Sequence, residues 1–497
     1  MKTTNALKRR SFLPLSGMGI LGASALLNHP EALAAQQKPV TATKNYDVIV
    51  CGGGNSGLPA AVAAARGGAK VALFERYGFM GGNPAYGLMT RWAPGPRSGM
   101  LVEFMKRVDA FGIGPMLSNP EDSHVEPEVV KMLFQEMALE SGVDLYLHHF
   151  VVGAVKEGAQ VKAVVSESKS GRRVFGAGVF VDASGDGDLC YHAGAKYELE
   201  SQNLQAMTLV FRIGYIDFVR FEKWAEQHQD LGSYYKQAQQ INKRDAAGNI
   251  RLGVKFGGRM NNLWDKYRSK YPDLPEEPAY FNCHSLRPNE ICINATRAYD
   301  LDPTNADDLT KAEVSTRKQV WAIWRFMRDN VPGFERSALT ETAAQIGIRE
   351  SRRIVGDYVL TLKDGAANRR FEDSVMTSRV SLDLHEKRKY VVGKGDGLIK
   401  GGLVDLPYRC FHPKGLEGLM VVGRCGSVDH ILNSGGPRKM PTVFQMGEVA
   451  GIAAAMSVKE KTTPRRLSVK ELQAELVKRG VKTNQGAFSP EELKRVG

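Results

Sequence analysis

Val48-Ile49-Val50-Cys51-Gly52-Gly53-Gly54-Asn55-Ser56-Gly57 is the stretch that decides the fold. Its apolar run reads as a buried strand that breaks into Gly52-x-Gly54-x-x-Gly57, and Ala60 to Ala65 then reads as helix. In such a unit Gly52 allows the tight turn, and Gly54 lets the backbone approach a pyrophosphate. Gly57 lets helix and strand pack closely, and the helix N-terminus receives the phosphate charge. Glycine-rich turns are common, so context decides the reading. A second apolar strand, Lys70-Val71-Ala72-Leu73-Phe74, ends in Glu75, 23 residues after Gly52. An acidic side chain at that position accepts the hydroxyls of a ribose. Strand, glycine turn, helix, strand and acid together predict dinucleotide binding.

The chain has 497 residues, enough to bury a large core in two or more domains. Its hydrophobic content of 43% and charged content of 24% are those of an ordinary globular protein. The net charge is +13; residues 1–35 carry Lys2, Lys8, Arg9 and Arg10 against Glu31, so +10 remains without them. A basic balance suits an anionic substrate or surface. The basic residues are scattered rather than interleaved with aromatics, which argues against nucleic acid. The six cysteines form no Cys-x-x-Cys pair, so no metal site, dithiol redox centre or iron–sulfur cluster is expected. Cys283 and Cys292 are either bridged in an oxidising compartment or free, and their spacing does not decide between the two.

Residues 1–35 read as an export signal. Lys8-Arg9-Arg10-Ser11-Phe12-Leu13 resembles the twin-arginine consensus, Leu15 to Leu27 is mildly apolar, and Ala32-Leu33-Ala34 supplies small residues for cleavage. The apolar stretch is short of the roughly 20 residues of a membrane span, and no later segment is long and apolar enough for a stable one. The expected partner during export is the twin-arginine translocase, which carries folded proteins, and the expected location is periplasmic or secreted. Further on, residues 98–142 read as largely helical, and Gly142 to Leu147 as a strand. Val151 to Val155, Val161 to Ser166 and Arg173 to Phe175 alternate like a small antiparallel meander. Val179 to Asp182 reads as a further strand. The 200–390 region lacks the strand–helix rhythm and is expected to be a second domain, with helices over Lys311 to Asn330 and around Glu341 to Leu360. The rhythm returns at Leu419 to Arg424 and in a small-residue helix opened by Met440-Pro441-Thr442. An amphipathic helix, Leu467 to Gly480, follows.

These residues resemble the bacterial FAD-dependent oxidoreductases, with a glutathione-reductase-type FAD domain and a distant likeness to fumarate reductase flavoproteins. The likeness is carried by the glycine turn, Gly78-Phe79-Met80-Gly81-Gly82, Asp182-Ala183-Ser184-Gly185-Asp186-Gly187-Asp188 and Val421-Val422-Gly423-Arg424, in that order. Ile346 to Tyr358, Pro407-Tyr408-Arg409-Cys410 and Met440-Pro441-Thr442 resemble the family's later signatures, and the whole likeness covers about residues 46–460. It implies an α/β fold: a Rossmann-like FAD-binding domain, with a central parallel sheet and a small antiparallel meander, and an inserted α+β substrate domain. The expected boundaries are 46–200 and 401–460 for the FAD-binding domain, 201–400 for the substrate domain and 461–497 for a helical tail. The implied cofactor is FAD. Its expected contacts are Gly52, Gly54, Asn55, Ser56, Gly57, Glu75, Arg76, Gly81, Gly82, Asn83, Val152, Ala183, Gly185, Asp186, Gly423, Arg424, Pro441 and Thr442. Ser184 stands where many relatives have Thr, and Asn55 and Ser56 where the motif often has Pro and Ala.

The flavin carries out the redox step, so the protein has to place the substrate and supply an acid or base. Arg349, Arg352 and Arg353 fall at i, i+3 and i+4, one face of the expected helix, and arginine forks suit carboxylates. Ion pairing with Glu350 or Asp357 is the plainer role for them. Histidine is the natural proton shuttle. His385, in an Asp-x-His that the family shares, and His430, beside Asp429, are the foremost candidates; His284, His412, Tyr408 and Arg409 are weaker ones. The catalytic set expected is thus His385, His430, Arg349 and Arg353. The activity expected is that of an exported dehydrogenase. It would oxidise a C–OH or CH–CH centre of a small substrate, anionic or neutral, and pass electrons to a quinone, a cytochrome or oxygen. The alternatives are a C=C reductase of the fumarate reductase type and a non-catalytic flavin carrier or assembly factor.

Overall fold

The computed structural model describes residues 42–492, apart from 94, 112–122, 201–202, 228–260, 276–281, 285–286, 288, 387–388, 393–398, 400–401 and 490. The expected export signal, residues 1–35, and Gly393 to Gly397, whose glycine spacing differs from that of a second nucleotide turn, lie outside the described residues. The apolar run forms strand β1 (Lys44–Cys51), followed by helix α1 (Gly57–Arg66) and strand β2 (Val71–Glu75). β1 and β2 run parallel with Val48 opposite Val71, and β3 (Asp144–Leu147) extends the sheet beyond β2. β4 (Phe150–Glu157), β5 (Gln160–Ser168) and β6 (Gly171–Asp182) make an antiparallel meander, and β6 also lies parallel to β1. Val48 and Val50 enter one apolar cluster while Ile49 and Cys51 enter another. A parallel strand covered on both faces is apolar throughout rather than alternating.

The expected strands Arg173 to Phe175 and Val179 to Asp182 are one strand, β6. The glycines between them do not interrupt it. A Cβ on Gly176 would lie 2.3 Å from the side-chain oxygen of Asn45, so glycine there lets β6 lie close along β1. The first half of β6 serves the meander and its second half the parallel sheet.

Beyond β6 the chain builds a second, antiparallel sheet. Its strands are β7 (Phe211–Gly214), β8 (Asn282–His284), β9 (Ile291–Asn294) and β10 (Ala338–Thr342), in the order β8-β9-β7-β10. Helices α2 (Met100–Ala110) and α3 (Pro127–Glu140) pack with the first unit. α4 (Ala306–Asn330) covers the second sheet, joining Ile323, Phe326 and Met327 to Phe211, Ile213 and Ile293. α4 begins five residues before the expected Lys311, because Asn305 caps it by accepting from the amides of Asp307 (2.9 Å) and Asp308 (3.2 Å). Cys292 in β9 carries a free thiol; the side chain of Cys283 lies outside the described residues.

The helix expected around Glu341 to Leu360 is absent, which is a correction. After β10 the backbone stays extended and bonds to distant segments instead of to itself. Gly347 exchanges two hydrogen bonds with Thr208 (2.7 and 3.1 Å), and the amide of Ile354 donates to Cys425 O (2.9 Å). Arg353–Ile354 pairs with Tyr197–Glu198 as a short strand. Ile346 and Ile348 are buried and Gly347 between them is half-buried, a period of two. The arginine spacing suggested a helical face that the apolar residues contradict.

β11 (Leu419–Val421) returns to the first sheet, parallel to the end of β6, and helix α5 (Met440–Lys459) returns against α1. The two helices meet backbone to backbone. A Cβ on Gly447 would lie 2.0 Å from Ser56 O, and one on Gly451 2.2 Å from Ala60 O. Overpacking such a contact typically costs 1–3 kcal/mol and occasionally more. Gly451→Ala should therefore lower stability by about 3 kcal/mol, read as a loss of Tm in a thermal melt; a neutral result would show that the helices can separate freely.

Glu448 of α5 caps α2 from a distance: the amide of Met100 donates to both its oxygens (2.9 and 3.0 Å), while Gly99 offers no side-chain cap. Burial pushes this carboxyl up to about 7. The native state therefore holds the proton more tightly than the unfolded chain. Stability is greatest below the ordinary carboxyl value and falls as pH rises through about 7, by on the order of 3 kcal/mol. Glu448→Gln should flatten this slope, which melts at pH 5 and pH 8 would show.

Candidate active site

At the carboxyl ends of the parallel strands lies a cavity of about 520 Å³. This is the place where open α/β sheets bind ligands. One end is walled by the glycine turn, the ends of β2 and β6 and the Gly423-Arg424 turn. The other end is walled by Thr208, Asn294, Arg297, Arg349, Asp383, His385, Arg438 and Lys439, with Met440 and Val443 of α5.

The glycine turn is set by sterics. Gly52 has φ +104°, and a Cβ there would lie 2.4 Å from Ala183 O. A Cβ on Gly57 would lie 1.7 Å from Gly52 O. Ser56 precedes α1 without making a capping hydrogen bond, and no acidic side chain stands in the first turn. This helix N-terminus thus keeps its positive end for an anion. The Glu75 carboxylate accepts from the amides of Gly53 (2.8 Å) and Tyr77 (3.1 Å), and burial raises its pKa. Arg424 bonds Asp186 (2.7 Å) and the Ser351 hydroxyl (3.1 Å). Although burial opposes it, the charges of Arg424 and Arg76 hold the Asp186 carboxyl below its ordinary value.

Of the residues expected to contact the cofactor, Gly52, Gly54, Asn55, Ser56, Glu75, Arg76, Gly82, Asn83, Ala183, Gly185, Gly423 and Arg424 line the cavity. Gly57 and Gly81 stand behind the wall as packing positions; a Cβ on Gly81 would lie 2.6 Å from that of Ala85. His149, Phe150 and Val151 line the cavity, whereas Val152 does not. Asp186 acts through Arg424. Pro441 and Thr442 sit in the first turn of α5, where the Thr442 hydroxyl is 3.0 Å from that of Ser378.

Among the catalytic candidates, His385 and Arg349 line the cavity, whereas His430 and Arg353 do not. His430 and Arg353 both bind Glu350, at 2.6 and 2.5 Å, and Arg353 also reaches Glu200 (2.8 Å), in a buried ion cluster. Arg352 turns to Asp188 (3.0 Å). The three arginines therefore diverge, because the segment is extended. Tyr408, Arg409 and His412 also lie away from the cavity: the Tyr408 hydroxyl donates to Pro464 O (3.0 Å) and Arg409 pairs with Asp373 (2.8 Å). The side chain of His284 lies outside the described residues. Sequence reasoning missed Arg297, Arg438, Lys439, Thr208 and Asn294. Arg438-Lys439 directly before Met440-Pro441 was a usable signal, since a helix start at the cavity carries its preceding residues there.

His385 Nε2 lies 2.9 Å from Asp383 Oδ1. Burial lowers the imidazole to about 4, with Arg349 and Arg297 pressing the same way and Asp383 opposing. Despite its own burial, Asp383 is held well below the ordinary carboxylate range by His385, Arg438 and Lys439.

The sequence matches the family model for FAD dependent oxidoreductases over residues 47–476. The chain belongs to this family. In sequence it is also similar to the tRNA uridine 5-carboxymethylaminomethyl modification enzyme MnmG of Bacillus velezensis, 38% identical over 85 residues, or 16% of this chain and 12% of that protein. The same enzyme of Streptococcus sanguinis is 38% identical over 95 residues, 18% of this chain and 13% of that protein. The chain thus spans only a small part of these relatives. Among solved structures it is similar to a geranylgeranyl bacteriochlorophyll reductase-like protein from Thermoplasma acidophilum: 16% identity, 91% of this chain and 96% of that chain, TM-score 0.44. The myxobacterial chondrochloren halogenase CndH gives 15% identity, 88% and 79% coverage and a TM-score of 0.43.

As an FAD dependent oxidoreductase the chain has residues that fit the cofactor. Asn55 Oδ1 is buried without a protein partner beside the uncapped start of α1, and the glycine turn leaves a cradle that side chains would fill. Glu75 would hold a ribose, the α1 N-terminus the diphosphate, and Arg424 with Asp186 the neighbouring chain. When bound, the flavin supplies hydride and electron transfer. A Cβ on Gly54 would make ordinary contact with Gly82 Cα at 3.5 Å, whereas larger branches would enter the cradle. Gly54→Val should therefore fold yet lose the flavin, shown by a collapsed ratio of flavin to protein absorbance with circular dichroism unchanged.

Proposed function

We propose that this FAD dependent oxidoreductase is an exported dehydrogenase that oxidises a C–OH centre of a small organic substrate. The observation that carries the reading is the Asp383–His385 pair in the cavity wall. Asp383 holds the imidazole through Nε2 and so orients the ring, and the imidazole takes the substrate hydroxyl proton. Asp383 also stabilises the imidazolium that results; a bound flavin would supply the acceptor for the hydride of the same carbon. Met440 and Val443, at the start of α5, also line the cavity.

Export rests on Lys8-Arg9-Arg10-Ser11-Phe12-Leu13 and the residues after it. Outside the cytoplasm nicotinamide is scarce, which favours a quinone, a cytochrome or oxygen as the electron acceptor. Fractionation of cells producing the chain, with Arg9→Lys/Arg10→Lys as the control, tests this part.

Catalysis is tested by anaerobic addition of hydroxy acids, sugars and unsaturated acids to the holoenzyme. Bleaching of the oxidised flavin by a hydroxylated compound is the expected outcome. Reduced enzyme that reoxidises only with an unsaturated acid would replace the reading by C=C reduction. His385→Asn should lower kcat by roughly 10²–10⁴-fold with the flavin retained. Because a base works only when unprotonated, kcat/KM should be level above pH 5 and fall as pH drops through about 4. Asp383→Asn should move that limb to still lower pH, since Asp383 raises the imidazole pKa.

A further inference from the structure

The inner end of the cavity is more cationic than a flavin requires. Among the described residues that line the whole cavity there are eight lysines and arginines against three carboxylates, an excess that survives binding of the cofactor's diphosphate. Two of these cations have only neutral partners. Arg349 donates to Ala206 O (2.5 Å), Thr208 Oγ1 (2.6 Å) and Asn294 Oδ1 (3.5 Å). Lys439 Nζ donates to Ser381 O (2.8 Å). Neither has a carboxylate partner among the described residues. A third, Arg438, gives Nη2 to Gln205 Oε1 (3.1 Å) and Asp383 O (3.0 Å), and its buried Nε has no partner. Its nearest carboxylate, Asp383 at 3.6 Å, is already engaged by His385.

Buried charge without a counter-charge is costly, and a cavity is where a ligand can remove the cost. The cost shows in both cations: burial, with Arg297 and Arg438 adding to it and Asp383 opposing, lowers Arg349 to about 9, and burial, against the opposing charge of Asp383, lowers Lys439 to about 8. The two are held by different walls. Arg349 hangs from the Ala206–Thr208 segment and the end of β9, while Lys439 stands before α5 and reaches Ser381. Arg438 is within electrostatic reach of both.

We propose that the substrate is a small organic dianion, one anionic group taken by Arg349 and the other by Lys439, with the Asp383–His385 pair serving the carbon chain that joins them. This rests on the same cavity being the substrate site, and it needs no turnover to be tested.

The test is equilibrium titration of oxidised holoenzyme, following the flavin absorbance, with acetate, malonate, succinate, glutarate, inorganic phosphate and succinamate. Succinamate matches succinate in length but carries one charge. A charge-assisted contact in a buried site corresponds to roughly a tenfold to hundredfold change in Kd. At least one diacid should therefore bind roughly tenfold or more tighter than acetate and succinamate. Lys439→Gln should remove that advantage and Lys439→Arg should keep it; Arg349→Gln should weaken every acid. Tightest binding by phosphate would assign the two charges to one group and overturn the two-pole arrangement. Equal binding of mono- and diacids, or a Lys439→Gln enzyme with unchanged Kd, would overturn the proposal. Should Arg349→Gln fail to fold, the wild-type charge series and the Lys439 pair still decide. A diacid that binds but never bleaches the flavin would instead count against the dehydrogenase reading and leave this one standing.

Discussion

The structure depends on one close approach of backbones. Gly57 sits against Gly52 O, Gly447 against Ser56 O and Gly451 against Ala60 O, each nearer than a Cβ would permit. These contacts bring four chain segments to one point: the turn after β1, the start of α1, the end of β6 beside Ala183, and α5 from the far end of the sequence. Any side chain at the crossing would open the cradle. The nucleotide turn is therefore a packing solution first, and the phosphate site follows from it, because the same glycines that let helices touch also leave the first turn of α1 bare.

The second sheet must be fixed to this frame for the cavity to have an inner end, and charge helps to fix it. Arg212 of β7, 2% exposed, binds Glu126 at the start of α3 (3.0 Å) and Glu290 beside β9 (2.8 Å). The Glu350 cluster does the same farther along, joining Arg353 to His430 ahead of α5. Removing one partner from such a buried pair typically costs 3–5 kcal/mol, because the other charge stays buried. The net worth of the pairs is smaller than that. Their consequence is orientation, since the segment they anchor carries Gly347 and Arg349 into the cavity.

How much of this could be read from sequence follows from how local each cause is. The β1–α1–β2 unit was legible because an apolar run, three glycines and Glu75 act within 30 residues. The return of β11 and α5 was legible from the apolar run at Leu419, the small-residue helix after Met440-Pro441-Thr442 and the family resemblance, while the close packing at Gly447 and Gly451 is seen only in the structure. The extended segment from 343 to 361 was misread because arginine spacing was given more weight than the alternation of Ile346 and Ile348, and apolar period is the stronger signal. β6 was divided because Gly176 and Gly178 look like breakers, whereas both lie within one continuous strand. The cationic end was largely hidden. Arg297, Arg349 and the adjoining Arg438 and Lys439 come from three remote stretches, and no local pattern announces that they converge.

The electrostatics of that end bear on when the base works. In the free enzyme His385 is buried and stands among cations, so its imidazole holds a proton weakly and is a poor base. Asp383 alone does not offset burial and the two arginines. A negative group placed at Arg349 removes one of the charges that depress the imidazole, and a second at Lys439 relieves Asp383 of part of the positive charge around it. Both changes favour the imidazolium, since an opposite charge within a few ångströms raises a histidine pKa. The substrate's own charges would thus bring the base to strength as they bind, and a neutral analogue of the same shape would meet a histidine too weak to take its proton.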